Sequence, residues 1–292
     1  MRIWLLSELV DSPGNEIFID AARVEGHQVA LVRPNSIDLD LAVQHPESMS
    51  LRVSGSEMLQ PDWVFTRLGS TSSVASLHAV RQLERFGVKV INSSQSIFLA
   101  RSKLRTFQVL AEEGLPLPRT IRIWRDSGFG QIVKELGDPP WIVKIPEGSQ
   151  GIGVMRVDSL ESLAGCVETL WGLGQEVLVQ QFLSSARGRD LRVFVVGDSV
   201  CAAMLRTASP GEFRSNLHRG GSAQAIEIAP KIEQVCIRAA QSLGLSVAGV
   251  DLLPAGGDSW MITEVNASPG IAGIQEASGV DVTGRILALF AR

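Results

Sequence analysis

VAGVDLLPAGGDSWMITEVNASPG, residues 247–270, alternates apolar and polar positions on both sides of a glycine-rich centre. That pattern predicts two antiparallel strands around a tight turn. With GGDS (256–259) as the loop, Asp251 falls directly opposite Glu264, with Cβ atoms roughly 5 Å apart. Asn266, two residues beyond Glu264, shares its face, while Val250, Leu252 and Val265 point the other way into a core. Two carboxylates held that close repel each other unless positive charge lies between them. An all-oxygen set of Asp, Glu and Asn suits a hard cation such as Mg²⁺. The same residues also fit a hairpin whose polar face is merely wet, so the rest of the chain has to decide.

The chain has 292 residues, 45% of them hydrophobic and 20% charged, an ordinary globular composition with room for two or three packed units. A net charge of −4 and the lack of a basic tail argue against a nucleic-acid partner. Cys166, Cys201 and Cys236 are far apart, show no metal spacing, and read as buried reduced thiols. The opening MRIWLLSELV is too short and too acidic-flanked for a secretion signal, and no apolar run spans a bilayer. A cytoplasmic protein with no membrane partner is expected.

Residues 1–95 alternate strand and helix, which predicts a small parallel sheet with helices on its faces. No glycine fingerprint follows the first strand, which argues against a dinucleotide site. Residues 93–114 predict one or two serine-capped helices closed by Gly114, and the prolines of LPLPRT then stop the helix. Two further units follow, over 96–183 and 184–292, each read as an antiparallel sheet with helices. The second contains a hairpin turned by Gly197-Asp198, the polar loop PGEFRSNLHRGGSAQ, and the 247–270 hairpin. The fold class is α/β, with α+β character in the last two units.

Several residues in this frame could carry chemistry. EGSQGIGV (147–154) lacks the ending of a P-loop, yet Gly148, Ser149 and Gly151 would let backbone approach phosphates closely; an ordinary glycine-bearing hairpin is the alternative. Lys144, inside the apolar WIVKI, must find an anion or snorkel from an edge strand. Lys103, on a helix, reads by itself as a solvated surface residue. GEFRSNLHRGG (211–221) gathers Arg214, Asn216, His218 and Arg219, which could stabilise a transferring phosphoryl group or form a plain hydrophilic loop. Arg192 and Arg206 lie on the strands before it.

The chain resembles the ATP-grasp superfamily, and within it the RimK-like α-L-glutamate ligases that modify ribosomal proteins. The resemblance is carried by RSKLRTFQVLAEEGLPLP (101–118), PPWIVKIPEGSQGIGV (139–154), VLVQQFL (177–183), GRDLRVFVVGD (188–198), EFRSNLHRGG (212–221), AGVDLL (248–253) and EVNASPGIAGIQEASGVDV (264–282). It covers residues 101–292 almost without gaps. DWVFTRLGSTSS (62–73) is the most similar piece of the N-terminal third.

The resemblance implies an N-terminal pre-ATP-grasp domain and two subdomains that clasp ATP, the first a lid and the second holding the metal. Lys103 and Lys144 would contact nucleotide phosphates, with Lys144 also reaching toward the adenine side. Gln181 and Phe182 match the hinge pair at adenine, and Asp190 would hold ribose or a nearby group. Arg214, Ser215 and Asn216 would face the γ-phosphate and an acyl phosphate, with Arg214, Asn216 and Lys144 as the catalytic set. Asp251, Glu264 and Asn266 would bind two Mg²⁺ ions, with Mn²⁺ as a substitute. Arg67 and Arg206 are candidates for substrate carboxylates. Family members are often homo-oligomers.

Two departures stand out. Gln181 replaces a usual Glu, and an amide can donate as well as accept. The first strand ends in SEL where the ribosomal-protein enzymes have Ser-Arg-Asp, so the acceptor is the least secure part of the resemblance.

The implied reaction joins L-glutamate or another amino acid to the C-terminal carboxylate of a ribosomal small-subunit protein or a peptide, through an acyl phosphate. Alternatives are a RimK-like ligase acting on an amino-group carrier protein, a cofactor or a ribosomal peptide; a non-catalytic ATP-binding regulator; and a phosphotransferase.

Overall fold

The computed structural model describes residues 1–39, 51–125, 128–148, 151–209 and 220–291, with Val133 described in its backbone alone. The N-terminal unit runs β1 (Arg2–Ser7), α1 (Pro13–Val24), β2 (Gln28–Val32), a small hairpin of β3 (Leu51–Val53) and β4 (Ser56–Met58), β5 (Trp63–Arg67), α2 (Val74–Arg85) and β6 (Lys89–Ile91). Its main sheet has the order β2-β1-β5-β6 with every pairing parallel. Helix α2 is capped by Ser73, whose hydroxyl accepts from Ser76 N. The β3–β4 hairpin was not anticipated from the sequence.

Two helices follow, α3 (Ser94–Ala100) and α4 (Lys103–Glu112). The next sheet contains β7 (Thr120–Ile123), β8 (Trp141–Lys144), β9 (Val154–Val157) and β10 (Val177–Gln181), with α5 (Phe129–Leu136) and α6 (Leu160–Gly172). Its order is β7-β10-β8-β9 and all pairings are antiparallel. Strand alternation sends Trp141 and Val143 into a core with Leu163 and Val167 of α6, and leaves Ile142 and Lys144 on the opposite face. This core is separate from the other two.

The third sheet, in the order β13-β12-β11-β14-β15, is formed by β11 (Arg189–Val196), β12 (Ser199–Thr207), β13 (Ser222–Ala225), β14 (Val247–Gly256) and β15 (Ser259–Asn266). Helices α7 (Pro230–Ser242), α8 (Ile271–Ser278) and α9 (Val282–Leu287) complete it. One face buries Leu191, Val193, Val250, Leu252 and Val265, together with Cys236 and Ala240 of α7 and with Ile97 and Leu110 of α3 and α4. At one end of the other face, Phe194, Val196 and Val247 pack with Ile271 and Ile286 and with Ile3, Phe18 and Phe65 of the N-terminal unit. Strand β13 and helix α8 escaped the sequence reading. SAQA has no apolar alternation and pairs as an edge through its backbone, while α8 contains Gly273 and is held by the fully buried Ile271 and Ile274.

The decisive hairpin has Asp251 opposite Glu264 and Gly249 opposite Asn266. Counting from the turn gives this pairing, although the register between is not regular. It slips between Pro254 and Gly256 and slips back between Asp251 and Leu252, so the two irregularities cancel.

Asn92, sealed at 2% exposure, ties the N-terminal sheet to the third one. Its Nδ2 donates to Val247 O and Ala267 O, both at 2.8 Å, and its Oδ1 accepts from Ser246 N at 2.8 Å and Val247 N at 3.0 Å. Replacing it by alanine strands those backbone groups. Asn92→Ala is expected to lower stability by about 2–4 kcal/mol, read as a shift of the urea-denaturation midpoint.

Candidate active site

The second sheet and the third face each other across a cleft that opens to solvent. Its walls bring together Lys103, Lys144, Asp190, Arg206, Asp251 and Glu264. Gly148, Gly151, Gln181 and Phe182, also singled out in the sequence, line it as well. Arg214, Ser215, Asn216 and Ser149, with His218 and Arg219, lie outside the described residues.

Lys144 is 7% exposed on β8, an interior strand flanked by β9 and β10. The edge-strand alternative is thereby excluded. Burial, with repulsion from Lys103 and partial relief from Glu264, pushes its pKa down to about 8. Lys103 is not the solvated residue that its helical position suggests. It is 8% exposed, with Nζ 3.1 Å from Gly148 O and 3.7 Å from Glu264 Oε1. The glycine loop is thereby held at Gly148, whose carbonyl also accepts from Ser70 Oγ at 3.1 Å. A Cβ at Gly153, where φ is +74°, would meet the Ile145 side chain at 2.4 Å, so the return of this loop requires glycine.

The floor is a buried array of charge on the third sheet. Arg192 is the cross-strand partner of Asp251, and Asp190 that of Arg206. Arg192 Nη2 lies 2.7 Å from Asp251 Oδ2, Arg206 Nη2 lies 3.1 Å from Asp251 Oδ1, and Arg206 Nε lies 2.7 Å from Asp190 Oδ1. Burial alone would raise the Asp251 pKa, but the two guanidiniums hold it below the usual carboxylate range. Gly249 makes room here, since a Cβ would meet Pro269 at 2.8 Å and the Arg192 stem at 3.3 Å.

Asp190 and Arg206, expected to meet ribose and a substrate carboxylate, both line the cleft and pair with each other there. The physical reason is a bulge between Phe194 and Val195, which slips β12 by one residue and sets Arg206 opposite Asp190. Arg67 stands outside the cleft lining. Its Nη1 donates to Pro269 O at 2.7 Å, its Nε is sealed without a partner, and burial lowers its pKa to about 10.

The oxygen-bearing trio is compatible with a hard cation. Asp251 is ionised, and a carboxylate offers about four acceptor positions; the arginines take three of them. Its Oδ2 also accepts a long hydrogen bond from Asn266 Nδ2 at 3.5 Å. Glu264 makes no hydrogen bond among the described residues, its nearest charge being Lys103. Asn266 shares the face through the cross-strand register. Residues that the sequence reading missed here include Gln180, Arg187, Leu253 and Thr263. Only Gln180 carried a signal, as a polar residue inside VLVQQ, and nothing in the sequence said which of the two glutamines faces inward.

Lys144 also makes a stability prediction. Its folded pKa of about 8 lies below the ordinary 10.5. Below about pH 8 both states hold the proton and the full burial penalty applies. Between about 8 and 10.5 the unfolded chain binds more protons, so stability rises with pH. Lys144→Met is expected to stabilise the nucleotide-free protein by about 1–3 kcal/mol at pH 7, with the gain shrinking toward pH 10, measured by urea denaturation at several pH values.

Two family models match the chain: the RimK PreATP-grasp domain over residues 1–97 and the RimK-like ATP-grasp domain over residues 100–290. A probable alpha-L-glutamate ligase 1 of Shewanella amazonensis is 38% identical over 288 residues, spanning 99% of this chain and 94% of the relative. A protein of the same description from Shewanella denitrificans is 38% identical over 287 residues, covering 98% and 96%. Among solved structures, the ATP-grasp ligase PsnB complexed with minimal precursor superposes with a TM-score of 0.77 at 22% identity, covering 99% and 98% of the two chains. D-alanine--D-alanine ligase from Bacillus anthracis complexed with ATP gives 0.69 at 17% identity over 100% and 96%. These structural likenesses establish the ATP-grasp fold. Matched along nearly its whole length by both models and by relatives above a third identical, the chain belongs to the RimK-like ATP-grasp family of ligases.

Proposed function

We propose that this ligase uses ATP and Mg²⁺ to form an amide bond between a carboxylate acceptor and the amino group of L-glutamate or another amino acid. The acceptor in this reading is the C-terminal carboxylate of a protein, such as a ribosomal small-subunit protein, or of a peptide. The chain then works as three units, residues 1–95, a lid over 96–183, and 184–292 with the metal site. The relatives named glutamate ligases support the amine. One observation carries the reading: a single cleft brings two buried lysines beside Asp251 and Glu264, with Asn266 two residues beyond Glu264 on the same strand face. Such a pairing of fixed cations with a divalent-metal donor set suits a polyphosphate.

In the proposed reaction an oxygen of the acceptor carboxylate attacks the γ-phosphorus and ADP leaves. The amine nitrogen then attacks the acyl carbon, and phosphate departs as the C–N bond forms. Lys144 and Lys103 would hold phosphate oxygens, and Lys144 is protonated below about pH 8. Asp251, Glu264 and Asn266 would hold Mg²⁺, two ions in this reading with Mn²⁺ as a substitute; bound there, the metal supplies Lewis-acid neutralisation of phosphate charge. Arg214, Ser215 and Asn216 would face the γ-phosphate. No protein nucleophile is required. Burial pushes the Cys236 thiol up to about 12 and raises those of the half-buried Cys166 and Cys201, so none of the three supplies a ready thiolate.

Incubating the protein with ATP, Mg²⁺, glutamate and candidate acceptors is expected to yield a ladder of glutamyl mass increments with matching ADP release. Phosphorylated acceptor without amide would overturn the reading. Glu264→Ala is expected to reduce ADP release by about 100-fold or more while keeping the wild-type circular dichroism spectrum; full activity in that variant would refute the metal assignment.

A further inference from the structure

Helix α4 begins against the ordinary rules of helix ends. Its N-cap residue Ser102 makes no side-chain capping bond, its first turn holds no acidic residue, and Arg101, Lys103 and Arg105 crowd that end instead. The start of a helix carries partial positive charge from its free amides, so cations there are unfavourable and an anion is favoured. Here a carbonyl and a carboxylate arrive from another part of the chain. Lys103 N donates to Pro146 O at 2.8 Å. The next residue, Glu147, sets its Oε2 3.2 Å from Arg101 Nη2 and its Oε1 2.8 Å from Arg105 Nη2. The root of the glycine loop thus supplies the cap that the local sequence lacks.

Both arginines are themselves held. Arg105 Nε donates to Phe98 O at 3.0 Å, and its guanidinium lies 4.0 Å from the centre of the Phe98 ring. Arg101 is 9% exposed and its Nε is sealed without a partner. Glu147 is the one carboxylate within ion-pair distance of Arg101 among the described residues. Lys103 stands between the two arginines in the chain, lines the cleft beside Gly148, and donates to the Gly148 carbonyl at 3.1 Å. Glu147 itself is exposed and stands outside the cleft lining. Local rules of this kind are broken where function demands it, and the cation that demands it here is Lys103.

We propose that Glu147 is a positioning residue for the phosphate end of the cleft. By bridging Arg101 and Arg105 it joins the start of α4 to the root of the glycine loop, so that the Lys103 ammonium and the Gly148 backbone are set as one body. Its charge also offsets the repulsion among three cations gathered at one helix end. A ligand phosphate then meets groups already in place, and less of its binding energy goes to ordering them. The inference rests on the reading above that this cleft binds ATP.

The test measures the dissociation constant of ATP with Mg²⁺ by calorimetry on the full chain, together with amide hydrogen exchange read by mass spectrometry. Glu147→Gln removes the charge at nearly constant size and is expected to weaken ATP binding by about tenfold. Exchange should quicken in peptides spanning 101–106 and 144–148 and stay at the wild-type rate in β11 and β14. Arg105→Met removes one half-buried arm of the bridge and should weaken ATP binding by about threefold or more; it carries the test alone should Glu147→Gln fail to fold. The double variant is expected to bind ATP within about twofold of Glu147→Gln, because both changes break one connection. Unchanged ATP binding in the single variants overturns this inference and leaves the ligase reading standing. A double variant as weak as the product of the two singles overturns the linkage, and exchange that quickens throughout the chain overturns the positioning role. Failure of the wild type to bind ATP overturns this inference and the ligase reading together.

Discussion

Asp251 is a buried carboxylate held ionised by two guanidiniums, and the geometry of the site depends on that arrangement. It lies between Arg192 on one neighbouring strand and Glu264 on the other, with Arg206 reaching across from a third. An isolated carboxylate at 5% exposure would cost several kcal/mol or take up a proton. Paired on both sides it stays charged, and its position is set by sheet backbone. Asp190 balances the second arginine, so the quartet adds no net charge. The other charged side chains of the described cleft lining are Lys103, Lys144, Arg187 and Glu264.

Packing explains why this polar array can exist on a sheet face. The other face is apolar and covered by α7 and by α3 and α4. The array's own face is apolar at one end, where Phe194 and Val196 meet α8, α9 and the N-terminal sheet. Only the other end is left for the cleft. The small sheet that closes over it has a core of its own around Trp141, Val143 and Leu163. Its contacts with the remainder include Lys103 N to Pro146 O at 2.8 Å and Ser70 Oγ to Gly148 O at 3.1 Å.

Lys144 was legible as an anomaly because a charge amid Val and Ile contradicts its surroundings. Lys103 was not, because a helix-start lysine is ordinary and its burial is imposed by a loop that follows it by some forty residues. Asn92 was hidden within a serine-rich helix start, its role depending on backbone groups of Ser246, Val247 and Ala267. Of the two adjacent glutamines, strand parity puts Gln180 opposite Thr120 and Ile142 on the cleft face, and no local pattern marks that choice.

The amino-acid sequence by itself determined the alternation of elements, the two hairpins with their glycine-bearing turns, and the facing of Asp251 and Glu264, because these follow from short-range turn chemistry and the two-residue period of a strand. Tertiary structure decided what those side chains meet. A single bulged residue set Arg206 opposite Asp190, whereas two compensating slips left the Asp251–Glu264 pair where counting had placed it. Bulges arise from how whole sheets twist and pack, so a one-residue shift that exchanges the faces of a strand leaves almost no trace in local sequence.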